Sequence, residues 1–252
     1  MSKKRTLTIV LTLLVAVCLL ATTALAAVVP STPSMPSAPS GATAPSTPDN
    51  PTAPSQPSQP SQPSQPSEPE LKFIDVNEGD WFYNSVMWAV KNGVTVGTTP
   101  TTFEPYTACT RAQMIEFLWN AVGKPAATIK SVPFTDVPES GSDDYWYEDS
   151  LLWAYDAGIV AGTNDGSTFS PDQVCTRAEM ISFIARLLSD GATADMPFVD
   201  VPASAWYYNE VQWAWANGLT VGTNDGTTFS PDNACIRAEA VEFLYNAFAE
   251  VE

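Results

Sequence analysis

A segment of about 60 residues occurs three times after Leu71, and this internal repeat limits the possible fold more than any other sequence feature. Corresponding residues lie 60–66 positions apart. Each copy carries, in the same order, Phe-x-Asp-Val, an aromatic pair that begins with Trp, Trp-Ala, a glycine, Gly-Thr, Phe-x-Pro and Arg-Ala. Because one copy is too short to bury both faces of its helices, we expect the three copies to pack on one another.

The first half of each copy predicts a helix that ends at a glycine. In the first copy, apolar residues fall on one face between Trp81 and Asn92, and Gly93 is a typical C-terminal stop. A loop follows, with turn signals such as Asn164-Asp165-Gly166 in the second copy. Placing Gly166 at the obligatory glycine of a calcium loop puts Ala161 at the first ligand position, so this loop is not expected to bind calcium.

The second half of each copy predicts a second helix, which makes the fold class all-α. In two copies this helix begins with a capping box, Thr110-x-x-Gln113 and Thr176-x-x-Glu179, in which the side chains of both residues satisfy backbone N–H groups. Ile236 replaces the threonine in the third copy. We therefore expect the start of that helix to be less well satisfied.

The residues before the repeats read as an export signal and a spacer. Lys3, Lys4 and Arg5 precede an apolar run that ends in Ala24-Leu25-Ala26, which predicts a cleaved signal peptide over residues 1–26. An uncleaved membrane anchor is the alternative. Residues 27–70 are rich in Pro, Ser and Gln and are expected to form a disordered, extended linker. The predicted repeats then span residues 71–125, 132–190 and 196–250.

Composition excludes several classes of function. The chain has no histidine, which removes Ser-His-Asp and Cys-His catalysis and histidine metal sites. Its 28 acidic and 11 basic residues give a formal net charge of −17, the wrong sign for a nucleic-acid partner. We expect no metal and no other cofactor. Because no distinctive pair of carboxylates recurs in the repeats, an enzyme acting on glycans stays an unsupported alternative.

Arginine is concentrated at one repeat position. Three of the four arginines beyond the signal segment stand at the first residue of the second helix, namely Arg111, Arg177 and Arg237. Unpaired N–H groups at a helix start and the planar guanidinium both favour an acidic ligand. On this interpretation, replacing each arginine by Ala weakens binding and leaves the thermal transition nearly unchanged. The alternative is an internal ion pair with a neighbouring acid, such as the aspartate of Phe-x-Asp-Val.

Tryptophan and cysteine also recur at fixed positions. An aromatic side chain at the start of the first helix suits stacking on a sugar ring as well as it suits core packing, and this applies to Trp81, Trp146 and Trp206. The mid-helix tryptophans are expected in the core: Trp88, Trp153 and Trp213. The cysteines before the second helices are expected to be buried free thiols: Cys109, Cys175 and Cys235.

Taken in order, these motifs resemble the S-layer homology (SLH) domain, present in triplicate over about residues 71–250. The resemblance implies a secreted protein of a bacterial cell surface, whose three units form a pseudo-threefold assembly around a central helical bundle. It also implies that grooves between the units bind secondary cell-wall polysaccharide or another polymer linked to peptidoglycan. In many members the ligand is an acidic, pyruvylated amino sugar.

The resemblance also implies which repeated positions bind the polymer. They are the Arg-Ala arginine, the tryptophan before the first helix, the Gly-Thr step and the Phe-x-Asp-Val aspartate. The residues at these positions are Arg111, Arg177, Arg237, Trp81, Trp146, Trp206, Gly97, Thr98, Gly162, Thr163, Gly222, Thr223, Asp75, Asp136 and Asp200.

The three copies depart from the family pattern in different ways, so we expect unequal grooves. Gln113 stands where the motif has Glu, Ile236 stands where it has Thr, and the loop before Phe103 is one residue shorter. An acidic insertion from Glu139 to Asp144 is expected to repel an anionic polymer from the second unit. A second hypothesis, a spacer between membrane and wall, requires that residues 7–29 are retained as an anchor in contact with the membrane.

Overall fold

Six α-helices, two from each repeat, make up the regular structure of residues 73–249, the part of the chain that the structure, a computed structural model, describes. The loops of this part contain isolated bridges rather than strands, which confirms the all-α class for these residues. The predicted signal peptide and linker lie outside the described residues. None of the described helices has the length and apolar character needed to cross a membrane. The helices are α1 (Tyr83–Lys91), α2 (Arg111–Ala121), α3 (Glu148–Asp156), α4 (Arg177–Leu188), α5 (Tyr208–Ala216) and α6 (Arg237–Phe248).

The starts of the second helices follow the capping prediction. At α4, the Thr176 hydroxyl accepts the Glu179 N–H at 3.2 Å, and the Glu179 carboxylate accepts the Thr176 N–H at 2.8 Å. Thr110 and Gln113 form the same pair of bonds at α2. At α6 only the Glu239 carboxylate takes part, accepting the Ile236 N–H at 3.2 Å, because isoleucine has no side-chain acceptor. The expected weaker start of this helix is confirmed.

Helices pack between repeats. The first helix of a repeat contacts the second helix of the preceding repeat, so α3 lies on α2 and α5 lies on α4. The helix α1 contacts α6, which brings the first and last repeats together. The three second helices, α2, α4 and α6, also contact one another. The expectation that the repeats bury their apolar faces against each other is confirmed.

The three cysteines lie where the segments before the second helices meet. The N–H of Cys109 donates to the carbonyl of Cys235 at 3.1 Å, that of Cys175 to Cys109 at 2.9 Å, and that of Cys235 to Cys175 at 2.9 Å. All three are free and fully buried, as predicted. Burial raises the pKa of the Cys109 thiol to about 11, so it stays protonated and unreactive at neutral pH.

Other core predictions hold with one difference. Gly93 follows α1 with a φ of +68°, the left-handed conformation of a helix stop. Trp153 and Trp213 are buried. Trp88 is only half-buried, and it contacts the Tyr245 ring edge-on at 5.8 Å, where the first and last repeats meet.

Candidate functional site

Each repeated arginine holds the next repeat rather than standing free at a helix start. Arg111 is 3% exposed, and its Nε donates to the carbonyl oxygen of Phe169, in the second repeat, at 2.9 Å. Its guanidinium carbon lies 5.1 Å from the centre of the Phe169 ring and 5.5 Å from that of Phe183. Arg177 and Arg237 are equally buried and make the corresponding bonds to Phe229 and Phe103.

Two of the arginines also form internal ion pairs, which differs from the expectation of solvent-facing guanidinium groups. Arg111 Nη1 lies 2.6 Å from Glu179 Oε1, and Arg177 pairs in the same way with Glu239. The acid is the third residue of the next repeat's second helix, and not the aspartate considered from the sequence. The same glutamates cap their own helices through the other carboxylate oxygen. These arginines therefore join the repeats structurally.

The Phe-x-Asp-Val aspartates stabilise a turn within their own repeat. Asp136 accepts the N–H of Phe169 at 2.8 Å and the N–H of Ser170 at 2.7 Å. Ser170 has a φ of +58°, so these bonds hold a residue in the unfavourable left-handed region. Asp75 and Asp200 make the equivalent bonds. None of the three lines the cavity described below.

Arg237 lacks the ion pair because its repeat neighbour has Gln113 in place of glutamate. The Gln113 amide oxygen accepts the Thr110 N–H at 3.0 Å, as a cap. Arg237 Nη2 is buried without a hydrogen-bond partner. Burial lowers the pKa of Arg237 below its ordinary value, as expected for a charge that is poorly compensated.

We predict that Gln113→Glu raises the free energy of unfolding by about 1–2 kcal/mol, because a carboxylate would give the buried guanidinium a charged acceptor. Urea unfolding followed by tryptophan fluorescence measures the change. The gain should disappear as the pH falls below about 4, where a glutamate becomes protonated. An unchanged or lower stability at pH 7 would contradict the prediction.

One cavity of about 390 Å³ brings together predicted site residues from all three repeats. Arg111 of the first repeat, Gly162 and Thr163 of the second and Trp206 of the third line it. Helix α4 contributes Glu179 and Arg186 to the same wall. The other predicted site residues do not line this cavity.

Trp206 offers an open aromatic face. It is 58% exposed, and its only described aromatic neighbour is the Tyr207 ring, which it meets edge-on at 5.2 Å. Trp81 and Trp146 are exposed to nearly the same extent and meet Phe82 and Tyr147 edge-on. The structure thus decides between the two alternatives that the sequence left open, and places these tryptophans at the surface.

The Gly-Thr step shapes the loop that forms one wall of the cavity. Gly162 has a φ of +84°, and a Cβ there would lie 2.7 Å from the Thr168 carbonyl oxygen and 2.8 Å from Phe134. The Thr163 hydroxyl bonds the hydroxyls of Thr168 and Ser170, both at 2.7 Å. Glycine is needed for close approach, and threonine braces the turn.

We predict that Gly162→Ala lowers the free energy of unfolding by about 2 kcal/mol, because it adds a steric clash to left-handed strain. Gly158→Ala is the matched control, since Gly158 has a φ of +71° with no atom near the added Cβ. Urea unfolding should show the larger loss for Gly162→Ala. Equal losses would mean that the contact with Phe134 and Thr168 is unimportant.

Arg186 is a basic residue of the cavity that the repeat pattern did not single out as a site. It is exposed, and its Nη1 donates to the Ile159 carbonyl at 2.9 Å. One signal was present in the sequence, because Arg186 is the one arginine beyond residue 26 that lies outside the repeated Arg-Ala position. Without the fold, nothing placed it beside Arg111.

Comparison with known proteins gives a consistent result for all three repeats. A sequence profile described as the S-layer homology domain matches residues 72–115, 133–181 and 197–241, more than half of the chain. The "Surface-layer 125 kDa protein" of Lysinibacillus sphaericus is 36% identical over 93 residues, 37% of this chain and 8% of that protein. The "Cell surface protein" of Thermoanaerobacter kivui is 35% identical over 133 residues, 50% of this chain and 16% of that protein.

An enzyme is also among the similar proteins. The "Endoglucanase" of Bacillus sp. (strain KSM-635) is 32% identical over 114 residues, 45% of this chain and 11% of that protein. In these three relatives the similarity covers less than a fifth of the relative's length. The likeness is thus confined to a small part of each relative.

Proposed function

The chain belongs to the S-layer homology family, and on this premise we propose that its repeats form a non-catalytic module that anchors a secreted protein to the bacterial cell wall. The relatives named as surface-layer and cell-surface proteins support this role. The similarity to an endoglucanase covers only 11% of that enzyme, which fits a shared attachment module better than a shared catalytic unit.

We propose that the three units are related by a pseudo-threefold axis through the second helices. The mutual contacts of α2, α4 and α6 support this arrangement. The cyclic hydrogen bonds among Cys109, Cys175 and Cys235 support it as well, because each residue plays the same part toward the next. On this arrangement three corresponding grooves lie between neighbouring units, and each contains one arginine, one Gly-Thr loop and one exposed tryptophan.

The observation that carries the proposal is the cavity lined by Arg111, Gly162, Thr163 and Trp206. An exposed indole can stack on the apolar face of a sugar ring, and the polar wall opposite can bond its hydroxyl groups. Binding a sugar by stacking and hydrogen bonds requires neither a nucleophile nor a general base. The ligand that fits is a glycan of the wall, a secondary cell-wall polysaccharide.

An acidic, pyruvylated amino sugar is the ligand that we propose for this site. The chain carries a formal net charge of −17, so long-range attraction cannot bring it to an anionic polymer. Charges separated by more than about 8 Å are largely screened at physiological salt, and local contacts then decide binding. Several weak grooves along one polymer would add affinity through effective concentration.

Sedimentation with purified cell walls tests the proposal. We expect the protein to bind intact walls and to lose most of this binding after acid extraction of the polysaccharide. Added free polysaccharide should release protein that is already bound. Equal binding to intact and extracted walls would contradict polysaccharide recognition and favour peptidoglycan as the partner.

A further inference from the structure

The cavity beside Trp206 differs in charge from its counterparts because of one helix face. In α4 this face carries Ser182 and Arg186, and both line the cavity. The corresponding positions hold Glu116 and Asn120 in α2, and Glu242 and Asn246 in α6. A glutamate and an amide thus replace a serine and an arginine in the other two repeats.

The three grooves differ in net charge when the repeated arginine, the acid that pairs with it and the charged residues of this helix face are counted together. Beside Trp206, Arg111 and Arg186 against Glu179 leave one net positive charge. At the Arg177 groove, Glu239 and Glu242 leave one net negative charge. At the Arg237 groove, Glu116 cancels the charge of the arginine. The Glu116 Oε2 is buried without a hydrogen-bond partner, so this groove already carries a poorly compensated negative charge.

The residues before each exposed tryptophan also differ in charge, and those before Trp206 are again the less acidic. Trp206 follows Ser204 and Ala205, which are uncharged. Trp81 follows Asp80 directly, and Trp146 comes two residues after Asp144 in the acidic insertion. A carboxylate approaching either of these indoles would meet a like charge from the preceding segment, and the two residues directly before Trp206 add no such charge.

The positive charge of Arg186 is not needed for the contact that this position makes with the protein. Arg186 donates one hydrogen bond to the Ile159 carbonyl. Asn120 and Asn246 donate the same bond to Val94 and Leu219, at 3.1 and 3.3 Å, with an uncharged amide. Asparagine therefore makes this hydrogen bond in two repeats without a charge. The positive charge of Arg186 is available to a ligand in the cavity.

We infer that the groove formed by Arg111, Arg186 and Trp206 is the one of the three that takes the acidic sugar, and that Arg186 determines this specificity. The inference rests on the proposed function, since it assigns the charged ligand to one of the proposed grooves. The carboxylate would pair with the exposed Arg186, beside the buried ion pair of Arg111 and Glu179, with Trp206 against the ring. The other two grooves would take uncharged parts of the polymer.

The test uses the full chain and two glycosides, a pyruvylated N-acetylhexosamine and the same sugar without pyruvate. Calorimetric titration of the unsubstituted protein should give tighter binding of the pyruvylated glycoside. Arg186→Asn copies the other two repeats and keeps the bond to Ile159, so the fold should be unaffected. We expect this variant to lose about tenfold in affinity for the pyruvylated glycoside and to bind the neutral one within about twofold.

Two controls separate local charge from net charge. Lys130→Asn removes one positive charge from an exposed residue that does not line the cavity, and should bind both glycosides as the unsubstituted protein does. Arg186→Lys should recover much of the preference for pyruvate. Unchanged affinity of Arg186→Asn for the pyruvylated glycoside would overturn the inference.

The outcome also distinguishes the inference from the proposed function. A protein that sediments with walls but does not prefer the pyruvylated glycoside contradicts the inference and the proposed acidic ligand, and leaves the wall-anchoring role standing. A protein that binds neither walls nor either glycoside contradicts the proposed function, and the inference is then wrong with it.

Discussion

Replacing Arg177 by Ala is expected to lower the free energy of unfolding by about 3–5 kcal/mol, because it leaves the Glu239 carboxylate partly buried without its cation. The Arg177 side chain is only 5% exposed and that of Glu239 20% exposed. The substitution also removes the bond to the Phe229 carbonyl and the packing of the guanidinium against Phe229 and Phe243. Urea unfolding at pH 7 measures the loss.

Arg237→Ala is the matched control for this prediction. It removes the equivalent carbonyl bond and ring contacts, but Gln113 leaves no orphaned carboxylate behind. The loss should therefore be clearly smaller than for Arg177→Ala. If both variants unfold with the unsubstituted protein's midpoint, the arginines are free to serve a ligand, as the sequence alone suggested, and the structural role is wrong.

Replacing Trp206 by Ala is expected to weaken binding of the wall polysaccharide by on the order of 100-fold, because a sugar ring would lose its stacking surface. The indole is 58% exposed in the free protein, so the change should alter the free energy of unfolding by less than about 0.5 kcal/mol. Calorimetry with extracted polysaccharide measures the affinity.

Trp81→Ala and Trp146→Ala are the controls at the corresponding positions. Their indoles are equally exposed, and acidic residues stand nearby in the sequence at Asp80 and Asp144. We expect each to reduce affinity less than Trp206→Ala does. Three equal reductions would indicate equivalent grooves, and an unchanged affinity of Trp206→Ala would exclude its groove from binding.

Local structure could be predicted from the sequence because its signals are local. The capping box joins residues three positions apart, as in Thr176 and Glu179, and the stop of α1 depends on Gly93 alone. The burial of the three cysteines followed from their place before an apolar helix. Each of these predictions needed only neighbouring residues and the repeat pattern.

The role of the arginines could not be predicted in the same way. Arg111 and Glu179 lie 68 residues apart, and no spacing rule connects them. Glu179 was already accounted for as a capping residue, yet its second oxygen is free to bind the arginine of the preceding repeat. The sequence indicated the capping role of Glu179 and gave no sign of its second role as the ion-pair partner of Arg111.

The effect of Gln113 shows the same limit. The sequence indicated that this departure from the motif weakens one groove, and the structure gives a different physical account. Gln113 keeps the helix cap and loses the ion pair across the repeats, and the buried Nη2 of Arg237 has no hydrogen-bond partner. The consequence falls first on stability.

Hydrogen–deuterium exchange of the full chain, with and without extracted wall polysaccharide, tests most directly whether the cavity beside Trp206 is the polymer site. Bound polymer should slow exchange at residues 161–164, which line the cavity, and around Trp206. Polymer that binds without protecting these segments, or that protects only other surfaces of the repeats, would contradict the account.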